Sequence, residues 1–115
     1  MPKTSYRKSS DSPLNIKYIQ ILVDTENDLD EGRAFYDKQG ENIGDYFWDS
    51  LLSDIESLVI FGGIHSKKLG FYRMLSKRFP YAIYYDVNDD TVSVVAILPM
   101  RRNPVWITKK MGGRR

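Results

Sequence analysis

Cysteine is absent from the 115 residues. No disulfide framework, thiolate zinc site or cysteine nucleophile can therefore be built. Histidine occurs once, at His65, which excludes a histidine metal triad and a histidine pair for acid–base work. His65 lies in a Gly-rich loop and reads as an exposed side chain without a role. Asp86, Asp89 and Asp90 lie in and beside an Asn-Asp-Asp turn, where carboxylates shape the turn through hydrogen bonds to the backbone rather than hold a metal. No apolar run approaches the ~20 residues that cross a bilayer. The opening residues, Met1 to Ser10, are basic but lack an apolar signal core, so the expected location is cytoplasmic. No membrane, metal or cofactor is expected.

What remains is an ordinary globular composition, with 42% hydrophobic and 28% charged residues, enough for one domain with a real core. The net charge of +2 conceals a segregation. Residues 24–56 hold eleven Asp/Glu against two Lys/Arg, a net of −9, whereas residues 57–115 hold eleven Lys/Arg against three Asp/Glu, a net of +8. Opposed blocks of this size give one acidic and one basic surface, and the basic one favours nucleic acid or an acidic partner segment.

The periodicity places the elements. Ile16 to Val23 is β-branched and apolar and reads as a strand. Thr25 is a candidate N-cap, with Asp28 three residues on as an acidic variant of the capping box. The helix that follows buries Leu29, Gly32, Phe35 and Tyr36 and stops at Gly40. A second helix from about Ile43 to Val59 repeats Ile43, Phe47, Leu51, Ile55 and Leu58 at helical spacing, widened by Trp48, Leu52 and Val59. The short link makes the pair an antiparallel hairpin. After a basic loop at 62–70, a strand is expected at about Phe71–Arg78. The most informative stretch follows. Tyr81, Ile83, Tyr85 and Val87 alternate before the Asn-Asp-Asp turn, and Val92, Val94, Ala96 and Leu98 alternate after it, which is the pattern of a β-hairpin over Tyr81–Asp89 and Thr91–Pro99. Val105 to Met111 reads as a short helical turn. The order β-α-α-β-β-β implies an α+β domain, with a helical hairpin packed on an antiparallel sheet. Residues 1–13 read as a flexible basic arm, 14–111 as the single domain and 112–115 as a loose tail.

One series of motifs runs through this order. An Asp28-Leu29 pair opens the first helix, which carries Phe35-Tyr36. A Gly-x-x-Phe-x-x-x-Leu helix follows at Gly44, Phe47 and Leu51. Then come Arg-Phe-Pro-Tyr-x-Ile-Tyr-Tyr at Arg78 to Tyr85 and Arg-x-Pro-x-Trp at Arg102 to Trp106. In this the chain resembles the RelE/ParE superfamily of type II toxin–antitoxin toxins, also called plasmid stabilisation proteins, over about Ile16 to Met111. The resemblance implies a growth-inhibiting toxin neutralised by a cognate antitoxin. ParE-like members inhibit DNA gyrase by binding, and RelE-like members cleave messenger RNA on the ribosome.

Cleavage by attack of a 2′-hydroxyl needs a base, a proton donor and cations for the phosphorane charge. Against the nuclease pattern, Arg73 keeps a cation where Leu75 loses one. Ala82 stands after Tyr81 where the pattern has its key arginine. Trp106 stands nearest the terminal tyrosine, and an indole does not transfer protons at neutral pH. The resemblance is therefore to the ParE-like branch, with no confident catalytic residue. If the chain were a ribonuclease, its site would be Arg73, Arg78, Tyr81 and Arg101, its partners the ribosome and mRNA. A further alternative is a non-toxic, repurposed partner-binding member. Target binding is expected at Arg101, Arg102 and Trp106, although a salt bridge from the arginines to the acidic helices competes. Antitoxin binding is expected at Phe35, Tyr36, Trp48 and Arg73. The aromatic residues between Phe71 and Tyr85 are expected to divide between the helix–sheet core and the other face.

Overall fold

The run Tyr81–Asn88 pairs with Thr91–Pro99 across an Asp89-Asp90 turn. Asp89 takes a left-handed φ of 57°, which aspartate tolerates better than most residues. The Asp90 carbonyl accepts the Lys17 and Tyr18 N–H groups, at 2.7 and 3.1 Å. The turn that closes the hairpin thus also starts the first strand.

The computed structural model describes residues 15–114. The expected basic arm lies outside the described residues. In chain order the elements are β1 (Tyr18–Ile21), α1 (Val23–Asp37), α2 (Ile43–Glu56), α3 (Leu58–Phe61), β2 (Lys67–Lys68), β3 (Phe71–Leu75), β4 (Tyr81–Asn88), β5 (Thr91–Pro99) and α4 (Pro104–Gly112). The sheet order is β1-β5-β4-β3-β2. β1 runs parallel to β5, and every other neighbouring pair is antiparallel. This is the expected α+β fold, with the helical hairpin α1–α2 on one sheet face. Leu29, Phe47, Leu51, Ile55 and Leu58 meet Tyr81, Ile83, Tyr85, Val92, Val94 and Ile97 in the main core. Burying each large side chain contributes about 1.5–3 kcal/mol. Gly44 is the close approach between the helices: a Cβ there would lie 2.7 Å from the Arg33 carbonyl oxygen.

The opposite face is not bare. α4 is a full helix rather than a short turn. Asn103 accepts the Trp106 N–H at 2.9 Å, Pro104 occupies the first turn, and Lys109 and Lys110 sit at the negative end, three favourable choices for so short an element. It lays Trp106, Ile107 and Met111 over Phe71, Ala82, Tyr84, Val95 and Leu98.

Several boundaries depart from the sequence reading, each for a local reason. α1 begins at Val23, and Thr25 is not its cap. Thr25 is fully buried, and its hydroxyl donates to the Val94 carbonyl at 2.8 Å. The second helix breaks at Ser57, whose hydroxyl donates to the Asp54 carbonyl at 2.6 Å; Val59, in α3, is exposed rather than part of the stripe. The 62–70 loop contains β2, joined to β3 by the Leu69-Gly70 turn. β3 stops at Leu75, because Ser76 and the Lys77 N–H turn away to the buried Asp54 carboxylate, at 2.6 and 3.3 Å. Alternation in β5 also fails midway. Tyr84 pairs with Ala96 but Tyr85 pairs with Val94, so Val95 is an extra, bulged residue. The bulge shifts the parity. Ala96 and Leu98, expected beside Val92 and Val94, face α4, and Ile97 takes their place in the main core.

Arg114 corrects the expectation of a loose tail. Its guanidinium grips the Asp28 carboxylate through two hydrogen bonds of 2.8 and 2.9 Å, and donates to the Val95 carbonyl at 2.9 Å. Asp28 also accepts the Ile97 N–H at 2.9 Å. One buried carboxylate therefore ties α1, the β-bulge and the chain end together. Hydrogen bonding to Asp28 holds the Arg114 pKa above its ordinary value.

Candidate binding site

The loop after β5 carries two arginines outward, because Pro99 ends the strand and the Asn103 cap fixes the start of α4. The Arg101 guanidinium lies 4.2 Å from the Phe35 ring of α1, and Arg102 lies 4.0 Å over the Trp106 ring. Lys110, one turn along α4, lies 5.7 Å from the centroid of the same Trp106 ring. Phe35, Tyr81, Arg101, Arg102 and Trp106 line one cleft of ≈ 110 Å³. Among the described residues neither Arg101 nor Arg102 forms an ion pair with the acidic helices. Both are exposed, so their charge is available, held in place by cation–π contacts worth about 0.5–1 kcal/mol each at such sites.

The three residues expected to bind a target, Arg101, Arg102 and Trp106, thus come together at one rim. Those expected to bind an antitoxin do not form one patch. Phe35 is at the rim beside Arg101. Tyr36 is half-buried in an aromatic cluster, stacked on Phe47 with centroids 5.2 Å apart and edge-on to Phe79 at 4.8 Å. Burial raises its phenol pKa, with the nearby Tyr81 adding to the shift. Trp48 is half-buried under Arg33, whose guanidinium lies 5.3 Å from the indole centroid. Arg73 is on the other side of the sheet, in a cleft with Tyr84.

The ribonuclease set does not converge either. Tyr81 is buried in the main core, Arg73 faces the α4 side, and Arg78 is exposed in the link between β3 and β4. Leu75 and Ala82 are direct partners across the β3–β4 ladder. The two positions at which this chain lacks the cations of the nuclease pattern therefore lie side by side as an apolar pair.

Two charged groups escaped the sequence reading. Arg114 was detectable indirectly. Asp28 lies on the buried stripe with Thr25, Leu29 and Gly32, and a buried carboxylate requires donors, of which a cation is the strongest. Lys68 joins Arg73 only through the β2–β3 turn, which no apolar pattern announces.

His65 is likewise not an idle loop residue. Its Nδ1 sits 2.6 Å from the Tyr85 hydroxyl, which accepts the Gly63 N–H at 3.0 Å. Either neutral tautomer satisfies the contact, Nδ1 accepting the phenolic proton or donating its own to the phenol oxygen. Burial lowers the His65 pKa below its ordinary 6.5, and burial raises that of Tyr85. The unfolded chain then binds the proton more readily, so stability is present above 6.5 and falls as pH drops through the window beneath it. Thermal melts of the wild type and His65→Gln across this window should show a steeper acid decline in the wild type.

No protein-family model and no curated protein matches the sequence. The fold does have a solved counterpart. A chain of the chromosomal ParDE TA system from P. aeruginosa superposes with a TM-score of 0.67 at 13% identity, over 76% of this chain and 99% of that one. The two chains share one architecture, an α+β fold with helices on a mostly antiparallel five-stranded sheet. Among the described residues no helix is long and apolar enough to cross a membrane.

Proposed function

We propose that this protein is the toxin of a type II toxin–antitoxin pair, acting in the cytoplasm by binding its target. The target we favour is DNA gyrase, and the rim Arg101–Phe35 and Arg102–Trp106 is the contact surface. One observation carries the choice of binding over cleavage: Leu75 and Ala82 face each other across the ladder where RNA hydrolysis needs cations. The fold shared with a chain of a ParDE system supports the wider class. An antitoxin would lay the apolar face of an amphipathic helix against the helical hairpin near Phe35, Tyr36 and Trp48, and an extended acidic or apolar segment would reach Arg73 around the sheet edge.

Induced expression of the chain in bacteria should stop growth. Co-expression of the small protein from the neighbouring reading frame should restore it. Unimpaired growth at high expression would favour instead a repurposed member that only binds a partner.

A further inference from the structure

Exposed apolar side chains are not spread evenly over this protein. Val59, Ile60, Phe61 and Ile64 fall within six residues, and each is between 44% and 53% exposed. Of α3 only Leu58 is buried, where it anchors the short helix to the main core. The Ile64 N–H donates to the Phe61 carbonyl at 3.2 Å, so one turn folds Ile64 back beside α3. Apolar patches rimmed by charge mark contact with a protein or with a lipid surface. Here the rim is cationic. No Asp or Glu occurs from residue 57 to residue 85, and Lys67 and Lys68 are exposed on the edge strand β2. The chain outside the described residues joins at the same place. A Cβ on Gly62 would lie 3.1 Å from Ile16 Cγ1, so residues 1–14 continue from beside α3. They carry Lys3, Arg7 and Lys8 against Asp11. Glu56, at the end of α2, and the Asp89-Asp90 turn beside β1 oppose part of this charge.

We propose that this corner docks the protein on an anionic phospholipid surface, its apolar side chains entering the acyl boundary and its lysines resting among headgroup phosphates. Four half-exposed side chains offer far less than the roughly 800 Å² per partner that a stable protein interface buries. A bilayer demands no such area, because a few inserted side chains and a basic patch act as two separate signals. This is contact with one leaflet, not passage through it. The corner sits against Val92 at the start of β5, whereas the arginine rim follows Pro99 at its end. The proposal therefore stands whatever that rim holds.

Flotation of the purified full chain with vesicles of phosphatidylcholine, alone or with about 30% phosphatidylglycerol, tests this. At about 100 mM salt the chain should float with the anionic vesicles, and raising salt to about 500 mM should weaken that binding. Ile60→Ser/Phe61→Ser/Ile64→Ser should lower the partition coefficient on the order of a hundredfold. Lys67→Gln/Lys68→Gln should lower it about twentyfold. Val105→Ser, an exposed apolar residue of α4, should leave it unchanged. Thermal melts report whether each variant folds. Should the triple serine chain unfold, the lysine variant carries the test alone, because both lysines are exposed on an edge strand. The proposal is overturned if anionic vesicles leave the chain behind, if neutral vesicles bind it as tightly, or if a folded variant floats like the wild type. It is equally overturned if sedimentation equilibrium shows a dimer that the triple serine change dissolves, which would make the patch a contact between copies of this chain.

Discussion

Replacing Arg114 by methionine should destabilise the fold by about 3–5 kcal/mol, since it strands a buried carboxylate without its cation. Asp28 is 5% exposed, so water cannot take over the two hydrogen bonds that the guanidinium supplies. The Asp24 carboxylate, 3.7 Å from the Arg114 Nε, is exposed and loses far less. Asp28→Asn in the same chain should recover much of the loss, because a neutral amide oxygen still accepts the Ile97 N–H without burying a charge. Arg114→Lys should fall between, as a lysine cannot serve both carboxylate oxygens and the Val95 carbonyl in one plane. Urea titrations of the four chains measure these differences. A loss below about 1 kcal/mol for Arg114→Met would mean that the pair behaves as a surface ion pair.

The same residue marks what sequence reasoning reaches. The helical hairpin and the central β-hairpin were legible because each repeats its apolar side chains at the period of its own element: Phe47, Leu51 and Ile55 at helical spacing, Ile83, Tyr85 and Val87 at two. Residues whose role is set by a distant partner were not. Thr25 has the chemistry of a cap, but its hydroxyl is drawn to Val94, 69 positions away in sequence. Arg114 follows two glycines and looks unrestrained until Asp28 is seen to be buried. The bulge at Val95 is invisible because Val-Val-Ala-Ile reads smoothly in either parity. It nonetheless decides which residues face α4. At the site, the position of Arg101 and Arg102 followed from the Pro99 and Pro104 stops, whereas the stacking of each on its own aromatic ring depended on tertiary placement.

Changing Arg101 and Arg102 together to alanine should abolish growth inhibition. Arginine and tryptophan dominate the energetics of protein interfaces, and each anchor lost can cost about 2 kcal/mol or more, so the pair should weaken target binding on the order of 10³-fold. Stability should hardly change, because both side chains are exposed and each contributes only about 0.5–1 kcal/mol through its ring contact. That separation gives the test its force. Trp106→Ala is a poorer probe, since the indole also packs against the core cluster beneath α4. A double variant that melts like the wild type and still arrests growth would remove the rim from the mechanism. Lysine at both positions should rescue part of the effect, through charge without the planar stacking.

Gyrase supercoiling, titrated with the purified chain, reaches the central idea most directly: a cationic, aromatic rim on this sheet acts by holding its target rather than by cutting RNA. The wild type should block supercoiling at a modest excess over enzyme, and the Arg101→Ala/Arg102→Ala chain should leave it running. Full gyrase activity at large excess of the wild type, alongside codon-positioned cuts in translated message, would contradict the account.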